Sequence, residues 1–245
     1  MFRTDRDGVD QVVVLAGGSG RRMLPLTETR PKALIELPDG SVLLDRVLEQ
    51  FGALGVEKLL ILTGYKHSCL TEYLKLPFSA ARSFFSVQED LFYPENWESG
   101  ARLTAAYRDG MLGNRILVVY CDVIWTGDLR VHLSNWNKGR EPVRMLGYTN
   151  RAGDGEYGSR NNLQVAKTGQ VISYGDFSSK NNATDIGFVF LESETVLDAI
   201  RGFNPSWHLG RDILAPEISM GSVCATLSDR PYMFFTSPED VQTVI

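Results

Sequence analysis

The stretch Val12–Leu37 reads VVVLAGGSGRRMLPLTETRPKALIEL. It opens with the apolar, mostly β-branched run Val12–Leu15, which is typical of a strand buried on both faces of a parallel sheet. Three glycines in the following loop, Gly17–Gly20, let backbone N–H groups approach an anion because no Cβ intervenes. Arg21-Arg22 and Lys32 surround this loop with positive charge. A glycine-rich, cationic loop at the end of a first strand indicates a phosphate site in an α/β sheet.

Two common phosphate loops do not fit this stretch. The dinucleotide fingerprint G-x-G-x-x-G would need a third glycine where Met23 stands, and the P-loop would need Lys-Ser/Thr where Arg21 and Arg22 follow Gly20. A plain glycine-rich turn with solvated arginines is an alternative, and it would be favoured for a bare G-G-x-G. The plain turn is disfavoured here, because Arg22, Pro25-Leu26-Thr27 and Pro31-Lys32 follow the glycines at fixed spacings.

The run Gly17–Thr27 (GGSGRRMLPLT), followed by Pro31-Lys32, resembles the signature of the sugar-1-phosphate nucleotidyltransferases, or NDP-sugar pyrophosphorylases. In layout the chain is similar to the small single-domain heptose-1-phosphate guanylyltransferases. The resemblance covers most of the chain and weakens after residue 150.

Composition narrows the range of functions. The chain has 245 residues and a net charge of −5, which argues against a general binder of nucleic acid or of anionic membranes, because such proteins need a basic face. Its 3 cysteines and 3 histidines are scattered, which indicates neither a disulfide framework nor a zinc site. The first residues lack the apolar core of a signal peptide, and no apolar run approaches about 20 residues. A cytoplasmic protein is the simplest expectation.

Strand-like and helix-like segments alternate along the chain. This alternation predicts a three-layer, Rossmann-like α/β fold with a mainly parallel mixed central sheet. We expect a single domain, with a nucleotide-binding half at about 1–140 and an acceptor-binding half at about 141–245. The predicted strands after the first are Lys58–Thr63, Ser83–Gln88, Arg115–Cys121, Val143–Thr149, Asn161–Ala166, Val171–Tyr174, Ile186–Leu191, Val223–Leu227 and Tyr232–Phe235. The predicted helices are one capped by Ser41 and ended by Gly55, then Cys69–Leu76, Ala101–Met111, Trp207–Ile218 and a short one from Pro238.

Asp122 directly follows the strongest predicted strand, so it should lie at the edge of the sheet where α/β proteins bind ligands. A carboxylate there can hold Mg²⁺ against nucleotide phosphates. The alternative is an ordinary turn aspartate. The resemblance implies the metal-binding role, although the usual Gly-Asp is Cys121-Asp122 here.

The resemblance also implies a set of nucleotide contacts. Arg22 and the backbone of the glycine loop would hold the β- and γ-phosphates, and Lys32 would steady charge at the α-phosphate. Gln88 and the loop around Ser99-Gly100 would contact the nucleobase, although Ser99 could instead cap a helix. The whole implied nucleotide set, besides Arg22, Lys32 and Asp122, is Leu15, Ala16, Gly17, Gly18, Ser19, Gly20, Arg21, Gln88, Ser99 and Gly100.

On the acceptor side, the resemblance implies roles for Tyr157, Asp185 and Gly187. Two departures from the family pattern stand out. The lysine expected after Val171–Tyr174 is displaced or absent, since Gly175–Lys180 reads GDFSSK. The second metal-binding aspartate expected before Pro238-Glu239-Asp240 is replaced, and its position holds Phe234. Asp185 is a candidate substitute, or else a strand-edge residue bonded to nearby backbone.

These features predict a Mg²⁺-dependent nucleotidyltransferase. It would join a nucleoside triphosphate, GTP or CTP before others, to a sugar phosphate or similar phospho-acceptor, with no nucleic-acid or membrane partner and possibly as a homodimer. The alternatives are a catalytically degenerate nucleotide-binding or regulatory subunit, and a cytidylyltransferase for a non-sugar phosphate. A Rossmann oxidoreductase is disfavoured, because Gly64 rather than an acidic residue follows the second strand.

Overall fold

The computed structural model describes residues 8–77, 79–149, 161–175 and 178–242. Its strands are β1 Gln11–Ala16, β2 Lys58–Thr63, β3 Val87–Phe92, β4 Arg115–Tyr120, β5 Val123–Trp125, β6 Val143–Tyr148, β7 Leu163–Val165, β8 Val171–Tyr174, β9 Thr184–Glu192, β10 Val223–Ser228 and β11 Tyr232–Phe234. Its α-helices are α1 Leu43–Glu49, α2 His67–Leu74, α3 Ala80–Phe84, α4 Ser99–Arg108, α5 Leu129–Lys138, α6 Ser193–Leu197, α7 Ala215–Ser219 and α8 Pro238–Gln242. Single 3-10 turns cover Arg21–Met23, Lys32–Leu34 and Gly52–Leu54, and a π-helical segment covers Leu209–Leu214.

A seven-stranded sheet forms the centre of the molecule, in the order β10-β6-β9-β4-β1-β2-β3. Strand β1 is parallel to both β2 and β4, and β2 is parallel to β3. Strand β9 is antiparallel to its neighbours β4 and β6, while β10 is parallel to β6. The predicted α/β class with a mainly parallel mixed sheet is therefore confirmed.

The sheet is buried on both faces. Along β1, Val12 and Val14 pack into one hydrophobic cluster, whereas Val13 and Leu15 pack into another on the opposite face. Successive side chains of a strand point to opposite faces, so the unbroken apolar run predicted from the sequence covers both sides of the sheet. Helices lie over these faces and give the three layers.

The third strand was placed wrongly by the sequence analysis. Residues predicted as strand at Ser83 instead belong to helix α3, and the strand runs from Val87 to Phe92. Strand β3 is the edge of the sheet, where one side is solvated, so its exposed Glu89 and half-buried Asp90 had the appearance of a loop. Gln88 consequently lies near the start of β3, paired with Leu59.

The predicted cap of the first helix was also wrong. Helix α1 begins at Leu43 after Val42, and the Ser41 hydroxyl donates to Asp39 at 2.6 Å instead. The helical region is split into α1 and the turn that ends at Gly55, whose φ of +66° suits glycine. Helix α8 begins at Pro238 as predicted, and the predicted acceptor residue Tyr157 lies outside the described residues.

Helices α5 and α6 and the short strand β5 were not predicted. Strand β5 pairs with β11 in antiparallel fashion and leads directly away from Asp122. Across the parts of the chain that the structure describes, no helix has the length and hydropathy needed to cross a membrane.

Candidate active site

A cleft with a volume of about 330 Å³ opens where β1 and β4 end. Parallel strands β1 and β4 place their carboxyl ends side by side, which is where open α/β sheets bind ligands. The lining residues are Leu15, Gly17, Gly18, Ser19, Gly20, Arg21, Arg22, Met23, Lys32, Glu98, Ser99, Arg102, Tyr120, Cys121, Asp122, His208 and Thr236. The structure thus brings most of the predicted nucleotide residues around one cavity, while their roles stay predictions.

The glycine loop is shaped by a tight turn after β1. Gly20 has a φ of +62°, and its carbonyl accepts a hydrogen bond from the Thr27 hydroxyl at 2.9 Å. The next residues form a 3-10 turn in which Met23 is buried and Arg21 and Arg22 are exposed at the mouth of the cleft. Neither arginine pairs with a carboxylate of the described ranges. Both are therefore available to an anionic ligand.

Lys32 and Asp122 form an ion pair inside the cleft. Their Nζ and Oδ2 atoms lie 2.5 Å apart, and both side chains are largely buried, at 13% and 16% exposure. The Asp122 carbonyl accepts from the Phe235 N–H at 2.9 Å, and the Lys32 ammonium lies 5.9 Å from the centre of the Phe234 ring. Phe234, for which the resemblance predicts the position of a second acidic residue, thus lies close to the Lys32–Asp122 pair.

The donors present fit a hydrated, phosphate-bound Mg²⁺ better than a fully protein-bound ion. Asp122 keeps a buried oxygen, Oδ1, that has no hydrogen-bond partner in the described structure. No cluster of three or more acidic, His or Cys side chains is present among the described residues. Asp240 accepts from the Thr236 and Ser237 N–H groups and so holds the turn before α8. Mg²⁺ often takes one or two carboxylates and completes its shell with water and phosphate.

Asp185 lies near the start of β9, which is antiparallel to β4. The last register pair of these strands is Val119 with Phe188, and Asp185 lies three residues before Phe188. Its Oδ1 accepts from the Gly187 N–H at 2.9 Å, and the Tyr174 hydroxyl also hydrogen-bonds the carboxylate. Burial raises the pKa of Asp185 to about 6, against the opposing effect of these bonds. Asp185 is not among the residues that line the cleft.

Gly187 leaves room for the side chain of Tyr120, which forms part of the cleft wall. Its φ is +82°, and an added Cβ would lie 3.0 Å from Cδ2 of Tyr120. Tyr120 does line the cavity, and its hydroxyl donates to Ser99 Oγ at 3.4 Å. Gly187, like Asp185, is not among the lining residues, and it packs behind Tyr120, which is.

The three residues predicted to contact the nucleobase lie in different surroundings. The Gln88 amide donates to the Phe85 carbonyl at 3.0 Å and does not line the cleft. Gly100 is packed against the backbone of Trp207 and His208, since an added Cβ would lie 2.9 Å from either. Ser99 lines the cleft but is not the helix cap, which is Glu98; its hydroxyl accepts from the Leu209 N–H at 3.0 Å.

Ala16 ends β1 as a buried residue and is not part of the cavity lining. Cys121, which replaces the usual glycine before Asp122, lines the cleft, and burial raises the pKa of its thiol to about 12. The thiol is therefore protonated, and Cys121 forms part of the cleft wall rather than acting as a nucleophile.

Seven residues that line the cleft were not among the predicted site residues: Met23, Glu98, Arg102, Tyr120, Cys121, His208 and Thr236. Arg102 is 5% exposed and donates to the Gly17 carbonyl at 3.1 Å. It stands one helical turn after Ser99, so its position on the same face of α4 was a signal that could have been used. His208 arrives from a distant part of the chain, and no local pattern marks it.

A family model described as the MobA-like NTP transferase domain matches residues 12–157, more than half of the chain. The chain belongs to this family. The match includes the glycine loop, Lys32 and Asp122, and it confirms the resemblance drawn from the sequence.

Two curated relatives are informative. UTP–glucose-1-phosphate uridylyltransferase AglF of Haloferax volcanii is 43% identical over 63 residues, covering 26% of this chain and 26% of the relative. The bifunctional protein GlmU of Methanococcus vannielii is 26% identical over 200 residues, covering 78% of this chain and 44% of the relative. The chain thus spans less than half the length of these relatives.

Solved structures share the fold over nearly the whole chain. HddC from Yersinia pseudotuberculosis complexed with GMP-PN superimposes with a TM-score of 0.75 at 17% identity, covering 95% of this chain and 96% of that one. The inositol-1-phosphate CTP transferase from T. maritima gives a TM-score of 0.79 at 14% identity, covering 95% and 91%. At these identities the likeness establishes the fold alone.

The pKa of Asp185 predicts a pH-dependent stability. Because its folded pKa is raised above the unfolded value, its stabilising contribution is complete below about pH 4 and is lost as the pH rises through about 6. We expect Asp185→Asn to remove this loss, worth on the order of 2–3 kcal/mol in the free energy of unfolding. Denaturant titrations at pH 4.5 and 7.5 in excess chelator measure it. An equal pH dependence in both proteins would contradict the assignment.

Proposed function

We propose that this chain is a nucleotidyltransferase that joins a nucleoside triphosphate to a sugar phosphate or similar phospho-acceptor and releases pyrophosphate. The observation that carries the proposal is the convergence of the glycine loop, Arg21, Arg22, Lys32 and Asp122 on one cleft at the ends of β1 and β4. Membership of an NTP transferase family supports it. The product would be a nucleotide-activated sugar.

The chemistry needs positioning and charge neutralisation rather than a covalent enzyme intermediate. An oxygen of the acceptor phosphate attacks the α-phosphorus in line, while the bond from that phosphorus to the bridging oxygen of pyrophosphate breaks. Backbone N–H groups of the glycine loop and Arg22 would hold the leaving β- and γ-phosphates. Lys32 would stabilise charge that develops at the α-phosphate.

Mg²⁺ is part of the proposal, with Asp122 as its protein ligand. When bound, the ion would neutralise phosphate charge during the transfer. Lys32 pairs with Oδ2 of Asp122, whereas Oδ1 has no hydrogen-bond partner in the described structure and would be the oxygen that holds the ion. Lys32 would then turn from Asp122 to the α-phosphate when the nucleotide binds.

The acceptor side of the proposal rests on β9 and its surroundings. We propose that residues from about 141 onward bind the acceptor and those before about 140 bind the nucleotide, within one domain. Asp185, Gly187 and Tyr157 remain proposed acceptor contacts, the first two acting beside Tyr120 and Tyr174. A role in polysaccharide precursor synthesis and a cytoplasmic location, where nucleoside triphosphates are available, complete the proposal.

The base and the acceptor are left to a substrate panel. The names of similar proteins include UTP, CTP and a guanine nucleotide analogue, and the acceptor in one of them is inositol-1-phosphate. GTP or CTP with a sugar 1-phosphate is our first choice. A cytidylyltransferase for a non-sugar phosphate is the alternative within the same chemistry, and a homodimer is compatible with either.

A second candidate function is a nucleotide-binding subunit that has lost catalysis. Phe234 favours it, because a phenyl ring beside Lys32 cannot supply the second carboxylate of the family pattern. Measuring pyrophosphate release from four nucleoside triphosphates with a set of sugar 1-phosphates separates the two. Release that depends on the acceptor supports the enzyme, whereas nucleotide binding without release supports the subunit.

We expect Lys32→Ala and Arg22→Ala each to lower turnover by about 10²–10³-fold, the typical loss for a preorganised charge at the transition state. Circular dichroism should show both variants folded. Lys75→Ala is the control, since Lys75 is exposed, pairs with Glu72 and does not line the cleft. Near-normal turnover in both cleft variants would remove the phosphate-site assignment.

We expect Asp122→Asn to abolish activity, because the amide keeps the shape but loses the charge that holds Mg²⁺. We also expect Mg²⁺ to bind the empty protein weakly and to bind markedly tighter with nucleotide, since phosphates must replace the missing carboxylate. Calorimetric titration of Mg²⁺ with and without nucleotide measures this. Tight binding to the empty protein would show that a second carboxylate is present.

A further inference from the structure

Arg102 is a buried cation beside the glycine loop. Its side chain is 5% exposed, and in the described parts of the chain no carboxylate oxygen comes within 4.0 Å of its nitrogens. Glu98 acts on it only through space, and burial lowers the pKa of the guanidinium, which nevertheless stays protonated at physiological pH. A buried charge without a counter-ion is unfavourable, so an anion bound in the adjoining cleft would offset this cost.

The contacts of Arg102 connect the two loops that flank the cleft. Its Nη2 atom donates to the Gly17 carbonyl at 3.1 Å on one side. The same atom donates to the carbonyls of Pro94 and Glu95, at 3.0 Å and 3.3 Å, in the loop before α4. Its Nε atom has no partner within the described residues. One side chain therefore links the glycine loop to the loop before α4.

The orientation of one peptide group depends on this contact. The Gly17 carbonyl accepts from both Arg102 and the Tyr65 N–H, the latter at 3.1 Å. In a trans peptide the C=O and the next N–H point in opposite directions, so the Gly18 N–H is directed away from Arg102. Gly18 lines the cleft, and its N–H makes no hydrogen bond in the described structure. That N–H is available to a phosphate oxygen.

Two glycines are required by the same packing. A Cβ added to Gly17 would lie 2.3 Å from Cζ of Arg102. A Cβ added to Gly64 would lie 2.7 Å from Nη2 of Arg102 and 2.6 Å from the Gly17 carbonyl oxygen. Because neither position carries a side chain, the guanidinium can pack directly against the glycine loop.

We propose that Arg102 is a positioning residue for the nucleotide, which orients the Gly17–Gly18 peptide toward the phosphates and places a positive charge behind them. This inference rests on the proposed function. Arg102 acts through the glycine loop, so its loss should weaken nucleotide binding while the Michaelis constant for the acceptor stays unchanged.

Arg108 supplies a matched control on the same helix. It also donates to backbone carbonyls, those of Ile200 and Gly202, but it is exposed and lies outside the cleft. Removing either arginine therefore removes bonds from α4 to a loop, but only Arg102 contacts the glycine loop.

The test compares Arg102→Gln, Arg102→Lys and Arg108→Gln with the unmodified chain. Calorimetry measures the dissociation constant of each nucleoside triphosphate with Mg²⁺, and thermal unfolding without ligand measures stability. We expect Arg102→Gln to bind about 10- to 100-fold more weakly, the usual range for a lost hydrogen bond from a charged group, and Arg108→Gln to stay within about twofold. Arg102→Lys keeps the charge but not the fork of donors and should fall between them.

The outcomes separate this inference from the proposed function. If the unmodified chain binds no nucleoside triphosphate, the proposed function itself fails. If it binds and Arg102→Gln binds equally well, even with a lowered melting temperature, Arg102 is only structural and the inference is overturned.

A variant that keeps Arg102 makes the inference testable if Arg102→Gln does not fold. Gly64 does not line the cleft, but the Cβ of Gly64→Ala would lie 2.7 Å from Nη2 of Arg102 and 2.6 Å from the Gly17 carbonyl oxygen, so it would disturb their contact. We expect Gly64→Ala to weaken the binding of the nucleoside triphosphate. Unchanged binding by the folded variant would overturn the inference.

Discussion

The parallel pairing of β1 with β2 and β4 is the constraint on which the rest of the structure depends. It places the ends of three buried strands at one edge, so the glycine loop, Gly64 and Asp122 emerge side by side from distant parts of the chain. The pairing is stable because the strands are apolar on both faces and are covered by packed layers. Function then depends on short loops carried by a rigid sheet rather than on the strands themselves.

Much of this arrangement could be predicted from the sequence, because its signals are local. The apolar runs of β1, β2 and β4 gave those strands within one residue of their observed bounds. The glycine loop and Asp122 are adjacent to those runs, so their place at the sheet edge followed from the strand prediction. Edge strand β3 was misplaced because exposure on one side weakens the apolar pattern that identifies a strand, so Gln88 lies near the start of that strand rather than at its end.

Residues whose roles come from tertiary contacts left no local signal. His208 and Thr236 reach the cleft from the C-terminal third of the chain, and sequence spacing does not reveal such meetings. Arg102 lies in a helix whose neighbouring residues are ordinary core residues, so its sequence context did not indicate a site residue. Glycines are also hard to interpret from sequence alone. Gly100, which was predicted to contact the base, makes room for the Trp207–His208 backbone, so a small residue near a site indicates close approach without saying what approaches.

The ion pair between Lys32 and Asp122 links the geometry of the cleft to its proposed chemistry. A buried pair that loses one partner leaves the other charge uncompensated, at a cost of about 3–5 kcal/mol. Under the proposed function Lys32 would turn from Asp122 to the α-phosphate, so the carboxylate would need a new positive partner, which Mg²⁺ would supply. The pair therefore favours a proposal in which Mg²⁺ and nucleotide bind together. With Phe234 at the position where the family pattern predicts a second carboxylate, nucleotide phosphates would complete the proposed metal site.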